Sequence, residues 1–388
     1  MTSATFVCPF CPLHCDDLDP ASLLAGAKQP VRASRKQSVE VTAKQPAAAL
    51  GVTCSLLARR LAAAIDHDAT AMAAKAAVLE RARRWVAAAA RIRITGAVID
   101  LATARALCRL AQRSGASIDL DGDSAVSVAA AAYRELFARS GGFAITLGDA
   151  ASAHVAIIQI GDTSHCWPRL GERLSAAGQF FSWQSVDDAA ERLAQLRRLL
   201  RRPDEASPPD DPDVARSREL CGRAQSLVFI VAADLLGAAE ARPFWSTMAG
   251  LLRDLNPQRR AALLRFDDAL TLRSVATWNS DGEDEQFTVG RLADAELVIE
   301  LVGPGSAPSP SDRPAHVGQR ITIGGPVDSG VPSNSGDALL CHLPASSPGI
   351  GCCGVVFRGD GSVALPLRPL VANGLPSPAE VLRQLLPS

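Results

Sequence analysis

The segment HVAIIQIGD, at residues 154–162, carries the clearest structural signal in the sequence. Its short apolar run ends in turn residues, which is typical of a strand buried on both faces. Similar strand patterns occur before it in RIRITGAVID, at 91–100, and after it in QFFSWQS, at 179–185. Strands that alternate with helices predict βαβ units and a largely parallel sheet. The helical patterns lie at residues 71–90, 102–115, 127–140, 170–176 and 187–202.

Two proline-rich stretches interrupt this pattern. RPDEASPPDDPD, at 202–213, and GPGSAPSPSDRP, at 303–314, are typical of surface linkers. Between them SLVFIVAADLLG, AALLRF and AELVIELVG repeat the buried-strand pattern, with a helix at 238–255, so we expect a second α/β lobe. After the second linker, QRITIGG and DALLCHLP predict strands, and CCGVVFRGDGSVALPLRP predicts a hairpin with Gly-Asp-Gly at its tip. A short helix at 376–386 follows.

These observations predict an α/β protein of several segments. The expected order is a Cys-rich N-terminal segment at 1–60, a first α/β lobe at 61–202, a second α/β lobe at 214–303 and a C-terminal, β-containing segment at 315–388. A chain of 388 residues is long enough for two or three domains, each with its own core.

Composition and charge exclude several classes of protein. Apolar residues make up 47% of the chain and charged residues 21%, which is a globular rather than a disordered composition. The 40 basic and 41 acidic residues leave no excess of one sign for binding a phosphate backbone, so no nucleic-acid partner is expected. The N-terminus lacks the pattern of a secretory signal, and no apolar run reaches the roughly 18 residues that span a bilayer. We therefore expect a cytoplasmic protein with no membrane association.

Four of the ten cysteines form a pattern. Cys8, Cys11 and Cys15 have the spacing C-x2-C-x3-C, and Cys54, in GVTCSLLARR, supplies a fourth thiol after an insert. Soft sulfur ligands in a tight loop suit an iron-sulfur cluster or zinc. Two alternatives stay open: a relic loop whose thiols are reduced and empty, and a disulfide, which a reducing compartment disfavours.

Other residues that could carry chemistry have simpler interpretations. Asp16 and Asp17 are adjacent and project in different directions, so a solvated or capping role is favoured over a carboxylate pair. The segment His-Cys-Trp at 165–167 follows a strand at its carboxyl end, where α/β sheets place ligands, but it lacks a third positioned group. The vicinal pair at 352–353 is expected to pack in the core, and the glycines at 303–314 match no phosphate-binding spacing.

The N-terminal segment CPFCPLHCDDLDP, with Cys54 downstream, resembles the four-cysteine segment that opens the molybdopterin oxidoreductases. The pattern C-x2-C-x3-C-D-D is similar to the B subunit of formylmethanofuran dehydrogenase in particular. The similarity continues in order through SIDLDGDSAVSV, FAITLGDAASAHVAIIQIGDTSHCWPRL and the C-terminal hairpin. It implies a molybdopterin-oxidoreductase-like fold of two Rossmann-like parallel-sheet lobes, and it favours a [4Fe-4S] cluster over zinc at the four cysteines.

One departure from that family changes the expected function. The family carries Cys or selenocysteine followed by His-Gly-Pro on the loop that reaches tungsten or molybdenum. The corresponding loop here reads DSAVS, at 123–127, and offers neither a soft ligand nor a proton carrier. We therefore expect no tungsten or molybdenum pterin, no catalytic residue and no cofactor-binding residue beyond the metal ligands Cys8, Cys11, Cys15 and Cys54.

The remaining resemblance is to the B subunit of the bacterial formyltransferase/hydrolase complex. It implies a non-catalytic subunit in tetrahydromethanopterin-linked one-carbon metabolism, in which formyl groups reach a methanofuran-like carrier and are hydrolysed to formate. The implied partners are an amidohydrolase-type, a formyltransferase-type and a β-helical subunit. The alternatives are an active oxidoreductase subunit related to formylmethanofuran dehydrogenase and a stand-alone metal-binding α/β protein.

Overall fold

The structure is a computed structural model, and the chain divides in it into two units. The first unit combines Met1–Leu120 with Asp267–Ser388, and the second is Asp121–Phe266. The residues that the structure describes are 5–27, 54–70, 76–96, 100–118, 132–133, 143–183, 185–202, 209–232, 236, 238–267, 269–279, 295–303, 318–325, 340–372 and 374–386.

The elements alternate along the chain as an α/β protein requires. The described strands are β1 (Ile92–Gly96), β2 (Ser117–Ile118), β3 (Val155–Ile160), β4 (Gln179–Ser182), β5 (Ser226–Val231), β6 (Arg260–Leu264), β7 (Leu297–Leu301), β8 (Gln319–Ile323), β9 (Leu340–Leu343), β10 (Gly354–Phe357) and β11 (Ala364–Leu367). The described helices are α1 (Pro20–Ala27), α2 (Ser55–Thr70), α3 (Ala76–Ala88), α4 (Leu101–Ser114), α5 (Leu147–Ala150), α6 (Leu170–Arg173), α7 (Ala189–Arg201), α8 (Pro212–Arg223), α9 (Ala238–Leu255), α10 (Leu270–Asn279) and α11 (Pro378–Leu385).

The first unit is built on a parallel sheet of the described strands in the order β2-β1-β7-β8-β9. One face of the sheet presents Ile94, Ile299 and Ile321, which are fully buried in a single apolar cluster with α4 and α11. Leu107 and Leu110, three residues apart, place the apolar side of α4 in that cluster. This core explains why strands and helices far apart in the sequence form one unit.

Helix α4 has clear signals at both ends. Asp100 caps its N-terminus, because the side chain accepts hydrogen bonds from Ala102 N and Thr103 N. Gly115 ends the helix at φ +67°, a left-handed conformation that glycine adopts without strain. The predicted helix at 102–115 and its glycine C-cap are therefore confirmed.

The second unit has its own parallel sheet, in the order β4-β3-β5-β6. All six residues of β3 are buried, as are all six of β5, which is typical of central strands covered on both faces. The buried Phe229, Phe244 and Trp245 form part of the core between this sheet and its helices. The α/β class and the parallel sheets predicted from the segment at 154–162 are confirmed.

The hairpin predicted near the C-terminus is also present. Strands β10 and β11 pair in antiparallel register from Gly354↔Leu367 to Phe357↔Ala364. Arg358 N donates to Val363 O across the tip, where Gly361 has φ +75°. The alternation of apolar residues and the Gly-Asp-Gly sequence are sufficient to predict this element.

The structural units do not follow the expected boundaries. The predicted break at 202–213 lies inside the second unit, since β3 and β5, on either side of it, pair along their whole length from Val155↔Ser226 to Ile160↔Val231. The segment expected as the first lobe supplies strands to both units, as does the segment expected as the second lobe. The proline-rich, acidic segment at 202–213 is therefore not a boundary between the two units.

Some helices of the structure are not predicted by the sequence pattern, among them α8 and α10. The start of α8 carries a local signal inside the predicted linker, because Asp211 accepts hydrogen bonds from Asp213 N and Val214 N and Pro212 occupies the first turn. The predicted helix at 127–140 lies outside the described residues apart from 132–133, and the linker at 303–314 lies outside them beyond Gly303.

Replacing Gly96 should destabilise the first unit. Gly96 has φ +108°, and a Cβ atom there would lie 2.1 Å from the backbone oxygen of Leu301 on the paired strand. We expect Gly96→Ala to lower the free energy of unfolding by about 3 kcal/mol in urea denaturation. Gly374→Ala is the control, since no atom lies within 4 Å of its added Cβ. Equal stabilities of the two variants would contradict the close approach of β1 and β7.

Candidate functional site

The three N-terminal cysteines lie on a loop closed by backbone hydrogen bonds. Phe6 and Leu18 form an antiparallel bridge at its base, with Phe6 N 2.8 Å from Leu18 O. One step further in, Cys8 N donates to Cys15 O at 2.9 Å. These bonds bring the two outer cysteines of the motif to opposite sides of a narrow loop. We call residues 6–18 the cysteine loop.

Cys54 lies at the start of α2, and its thiol is directed towards the helix. Leu57 N donates to Cys54 Sγ at 3.4 Å, so the sulfur takes the position of a helix cap. Arg60, one turn further along α2, donates to Phe10 O of the cysteine loop at 3.3 Å. Helix α2 thus attaches the fourth cysteine to the same neighbourhood as the other three.

The thiols are shielded from water and influence one another electrostatically. Cys8, Cys15 and Cys54 are each at most 4% exposed, and Cys11 is half-buried. Burial raises the pKa of the Cys8 thiol well above its usual range, and the charges of Cys11, Cys15 and Cys54 raise it further. All four residues are thiols rather than disulfide partners in the structure. The disulfide alternative is therefore not the state that the structure shows.

The donor chemistry of this site fits a thiophilic metal, because four cysteines, three of them buried and one half-buried, carry thiolate charge only at a large energetic penalty unless a cation compensates it. The distances do not describe a coordinated metal: within the described residues, no three His, Cys, Asp or Glu side chains converge as a ligand set. The four-cysteine metal site stays a prediction.

The structure adds His14 to this neighbourhood, a residue that the spacing argument did not select. His14 is 6% exposed and has φ +42°, and its Nδ1 lies 3.0 Å from Cys8 O. Burial lowers the pKa of His14 to about 4, the Cys8 carbonyl opposes that shift, and the charge of Arg358 adds to it. The imidazole is thus neutral at physiological pH and fastens the turn between Cys11 and Cys15.

The segment at the carboxyl end of β3 lies at the surface. His165 is exposed, whereas Cys166 and Trp167 are half-buried. Trp167 N donates to Thr163 O at 2.7 Å, and its ring packs edge-on against Phe266 with centroids 5.0 Å apart. These contacts give Trp167 a packing role in the second unit.

Two further expectations about sites have different outcomes. Cys352 is half-buried, with Sγ 3.4 Å from Ser346 O, but Cys353 is exposed, so core packing was wrong for the second residue of the pair. The chain turns before β10 begins at Gly354, which leaves Cys353 outside the hairpin core. The loop at 123–127, on which the absence of a pterin ligand depends, lies outside the described residues.

The carboxyl end of the first unit's sheet forms a second candidate site. α/β proteins bind ligands in a crevice at this end of the sheet, often at a helix N-terminus. Here the crevice is lined by Gly303, Gly324, Ser346 and Thr103, and its cavity volume is only about 20 Å³.

The carboxylate of Asp100 occupies the helix end of that crevice. Its Oδ2 accepts from Ala102 N at 2.9 Å and Thr103 N at 3.3 Å, and the Thr103 hydroxyl donates to Oδ1. Asp100 is 2% exposed, and burial raises its pKa despite these hydrogen bonds. A carboxylate from the chain itself therefore takes the backbone donors that a bound phosphate would use.

Comparison with known proteins supports the α/β class at the level of the fold. No protein-family profile and no curated protein match the sequence. A chain of the formyltransferase/hydrolase complex FhcABCD from Methylorubrum extorquens, crystallised with methylofuran, is similar in structure with a TM-score of 0.61. The match covers 80% of this chain and 94% of that chain at 18% sequence identity. Likeness at this identity shows that the two chains share a fold.

A membrane-spanning element is not found in the part of the chain that the structure describes. No helix there combines the length and apolar character needed to cross a bilayer.

Asp100 can be tested by two substitutions that separate its charge from its capping role. Because burial raises its pKa, the stability linked to its proton is present below the unfolded pKa and is lost as pH rises through the folded pKa. The ionised group thus lowers stability at neutral pH. We expect Asp100→Ala to lower the free energy of unfolding at pH 7 by about 1 to 2 kcal/mol, because the loss of the cap outweighs the relief of the buried charge, and Asp100→Asn, which keeps a capping oxygen and removes the charge, to be at least as stable as wild type. Denaturation from pH 4 to 7 measures both, and an Asn variant less stable than the Ala variant would rule out the cap.

Proposed function

We propose that this chain is a non-catalytic subunit of a formyltransferase/hydrolase complex, homologous to the B subunit of formylmethanofuran dehydrogenase. Its role would lie in tetrahydromethanopterin-linked one-carbon metabolism, with the formyl group carried on a methanofuran-like molecule. The observation that carries the proposal is the shared fold with a chain of the formyltransferase/hydrolase complex, which extends over nearly all of that chain.

Two features of the crevice at the carboxyl end of the first unit's sheet support the proposal that no pterin nucleotide binds there. Cofactor pockets usually have volumes of about 300 to 1,000 Å³, whereas this crevice has a cavity of about 20 Å³. The Asp100 carboxylate would also repel a phosphate group at the N-terminus of α4. The absence of a metal-reaching thiol in the loop at 123–127 is the independent argument from sequence.

The cysteine loop is proposed to hold a structural or relic metal centre. Cys8, Cys11, Cys15 and Cys54 would be the ligands, and a [4Fe-4S] cluster is preferred over zinc because of the resemblance of the loop to the molybdopterin oxidoreductases. A bound cluster would supply one-electron transfer. The residues of this chain shelter the thiols: Cys8 and Cys15 are joined through the backbone, and His14 fastens the turn between the ligands.

The chemistry would then belong to partner subunits. The proposed partners are an amidohydrolase-type subunit for hydrolysis, a formyltransferase-type subunit for transfer and a β-helical subunit. A chain that binds only its partners' native states stabilises them by mass action, so a subunit without catalytic residues still raises the yield of active complex.

The buried thiol cluster also favours a second candidate, a stand-alone metal-binding α/β protein. An active oxidoreductase subunit is the third alternative, and it requires a pterin. Purification from the native host under mild conditions separates them, because the stand-alone protein predicts no stoichiometric partners, and only the oxidoreductase subunit predicts molybdenum or tungsten with a releasable pterin. Recovery of the chain alone, under conditions that preserve known complexes, would reject the proposed function.

The metal ligands can be tested in the same preparation. We expect Cys11→Ser to abolish most of the bound iron or zinc and to bleach any brown colour, because serine is a poor ligand for soft metals. Cys221→Ser is the matched control, since Cys221 is buried in the second unit and burial raises the pKa of its thiol to about 12. Metal analysis and absorption spectra give the result, and equal loss in both variants would argue against ligation by Cys11.

A further inference from the structure

The hairpin β10–β11 packs against the cysteine loop within the first unit. Val7, next to Cys8, is buried in a small apolar cluster with Val356, Leu365 and Leu367 of the hairpin. Gly349, in the segment before β10, lies in van der Waals contact range of Pro9, since an added Cβ would be 3.5 Å from Pro9 Cγ. The loop therefore depends on a part of the chain more than 300 residues away for its support.

Gly359, at the tip of the hairpin, makes the closest contact. Its N–H donates to Pro12 O at 2.7 Å, and its carbonyl accepts from Asp267 N at 3.0 Å. An added Cβ would lie 2.6 Å from Pro12 Cβ and 3.0 Å from Pro12 O, too close for any side chain. Pro12 is adjacent to Cys11, so displacement of one residue would displace the other.

Arg358 adds an ionic contact beside it. Its guanidinium lies 3.1 Å from the Asp16 carboxylate, and the arginine side chain is 15% exposed. Asp16 follows Cys15 directly. Gly359 and Arg358 thus hold the cysteine loop at two points, next to Cys11 and next to Cys15.

We propose that Gly359 and Arg358 are positioning residues for the cysteine loop, and that the hairpin tip sets the geometry in which its thiols receive a metal. The inference rests on the metal site of the proposed function. Metal ligands have to be placed within a few tenths of an ångström, and groups outside the ligand set provide that placement. The two contacts described above are of this kind.

The first test uses thiol reactivity and needs no metal. The full chain, stripped of metal, is alkylated with iodoacetamide, and the rate at each cysteine is followed by mass spectrometry, with the exposed Cys353 as internal reference. We expect Gly359→Ala to raise the rates at Cys8 and Cys15 by about tenfold, the change that overpacking of this size produces in local opening. Gly361→Ala is the matched control on the same tip, since its φ of +75° makes alanine strained but its nearest neighbour is Leu270 at 3.9 Å.

The second test measures metal uptake and uses a variant that adds no bulk. We expect Arg358→Gln to lower the iron or zinc retained after reconstitution and to alter the absorption spectrum, and Arg358→Lys to restore part of both, because lysine can still pair with Asp16. Thermal unfolding of each variant shows whether the fold is intact. If the glutamine variant lost metal only because its fold was weakened, the lysine variant would not restore metal retention without also restoring thermal stability.

The outcomes distinguish this inference from the proposed metal site. Wild-type rates of alkylation in Gly359→Ala, or equal rates in Gly359→Ala and Gly361→Ala, would overturn the positioning role. Full metal retention in Arg358→Gln would overturn the part assigned to Arg358. Failure of the wild-type chain to retain any metal would reject the metal site, and the alkylation rates would still decide whether the hairpin tip positions the loop.

Discussion

The parallel pairing of β1 with β7 is the interaction on which the first unit depends, because it joins the two ends of the chain into one sheet. Its register runs from Ile92↔Leu297 to Gly96↔Leu301, and without it β2-β1 and β7-β8-β9 would be separate pieces. The entropy lost in bringing β1 and β7 together grows only slowly with the length of the chain between them. Burial of Ile94 and Ile299 on the shared core face can therefore offset that loss.

Local features of the fold could be predicted from the sequence, whereas strand order could not. Buried strands, capped helices and the C-terminal hairpin each have signals within a few residues, such as Asp100 and Gly115 around α4. The predicted boundary at 202–213 illustrates the difference. Arg192 of α7 forms ion pairs with Asp211 and Asp213 at 2.6 Å across it, so acids that suggested a solvated linker instead join two helices of one unit. Composition does not show where the partner of a charge lies.

Part of the candidate site could likewise be predicted from the sequence, and part of it could not. Spacing alone selected Cys8, Cys11 and Cys15, and the structure brings the helix that follows Cys54 to their loop, where Arg60 donates to Phe10 O. Spacing did not select His14, whose importance comes from its burial and its contact with Cys8 O. The hairpin tip could not have been found either, since the contact of Gly359 with Pro12 joins residues at opposite ends of the chain. Groups that support a ligand loop from a distance leave no pattern in its sequence.

The N-terminus of α4 shows how the chain itself supplies the hydrogen-bond acceptor that a bound ligand supplies in other α/β proteins. A helix that starts at the carboxyl end of a parallel sheet presents backbone N–H groups that need an acceptor, and a bound phosphate is one source. In the first unit Asp100 is another, accepting from Ala102 N and Thr103 N at 2.9 and 3.3 Å. Because these donors are satisfied from within the chain, α4 needs no anionic ligand to begin there. The Asp100 carboxylate of the chain itself therefore stabilises the N-terminus of α4, in the position where other α/β proteins use a bound anion.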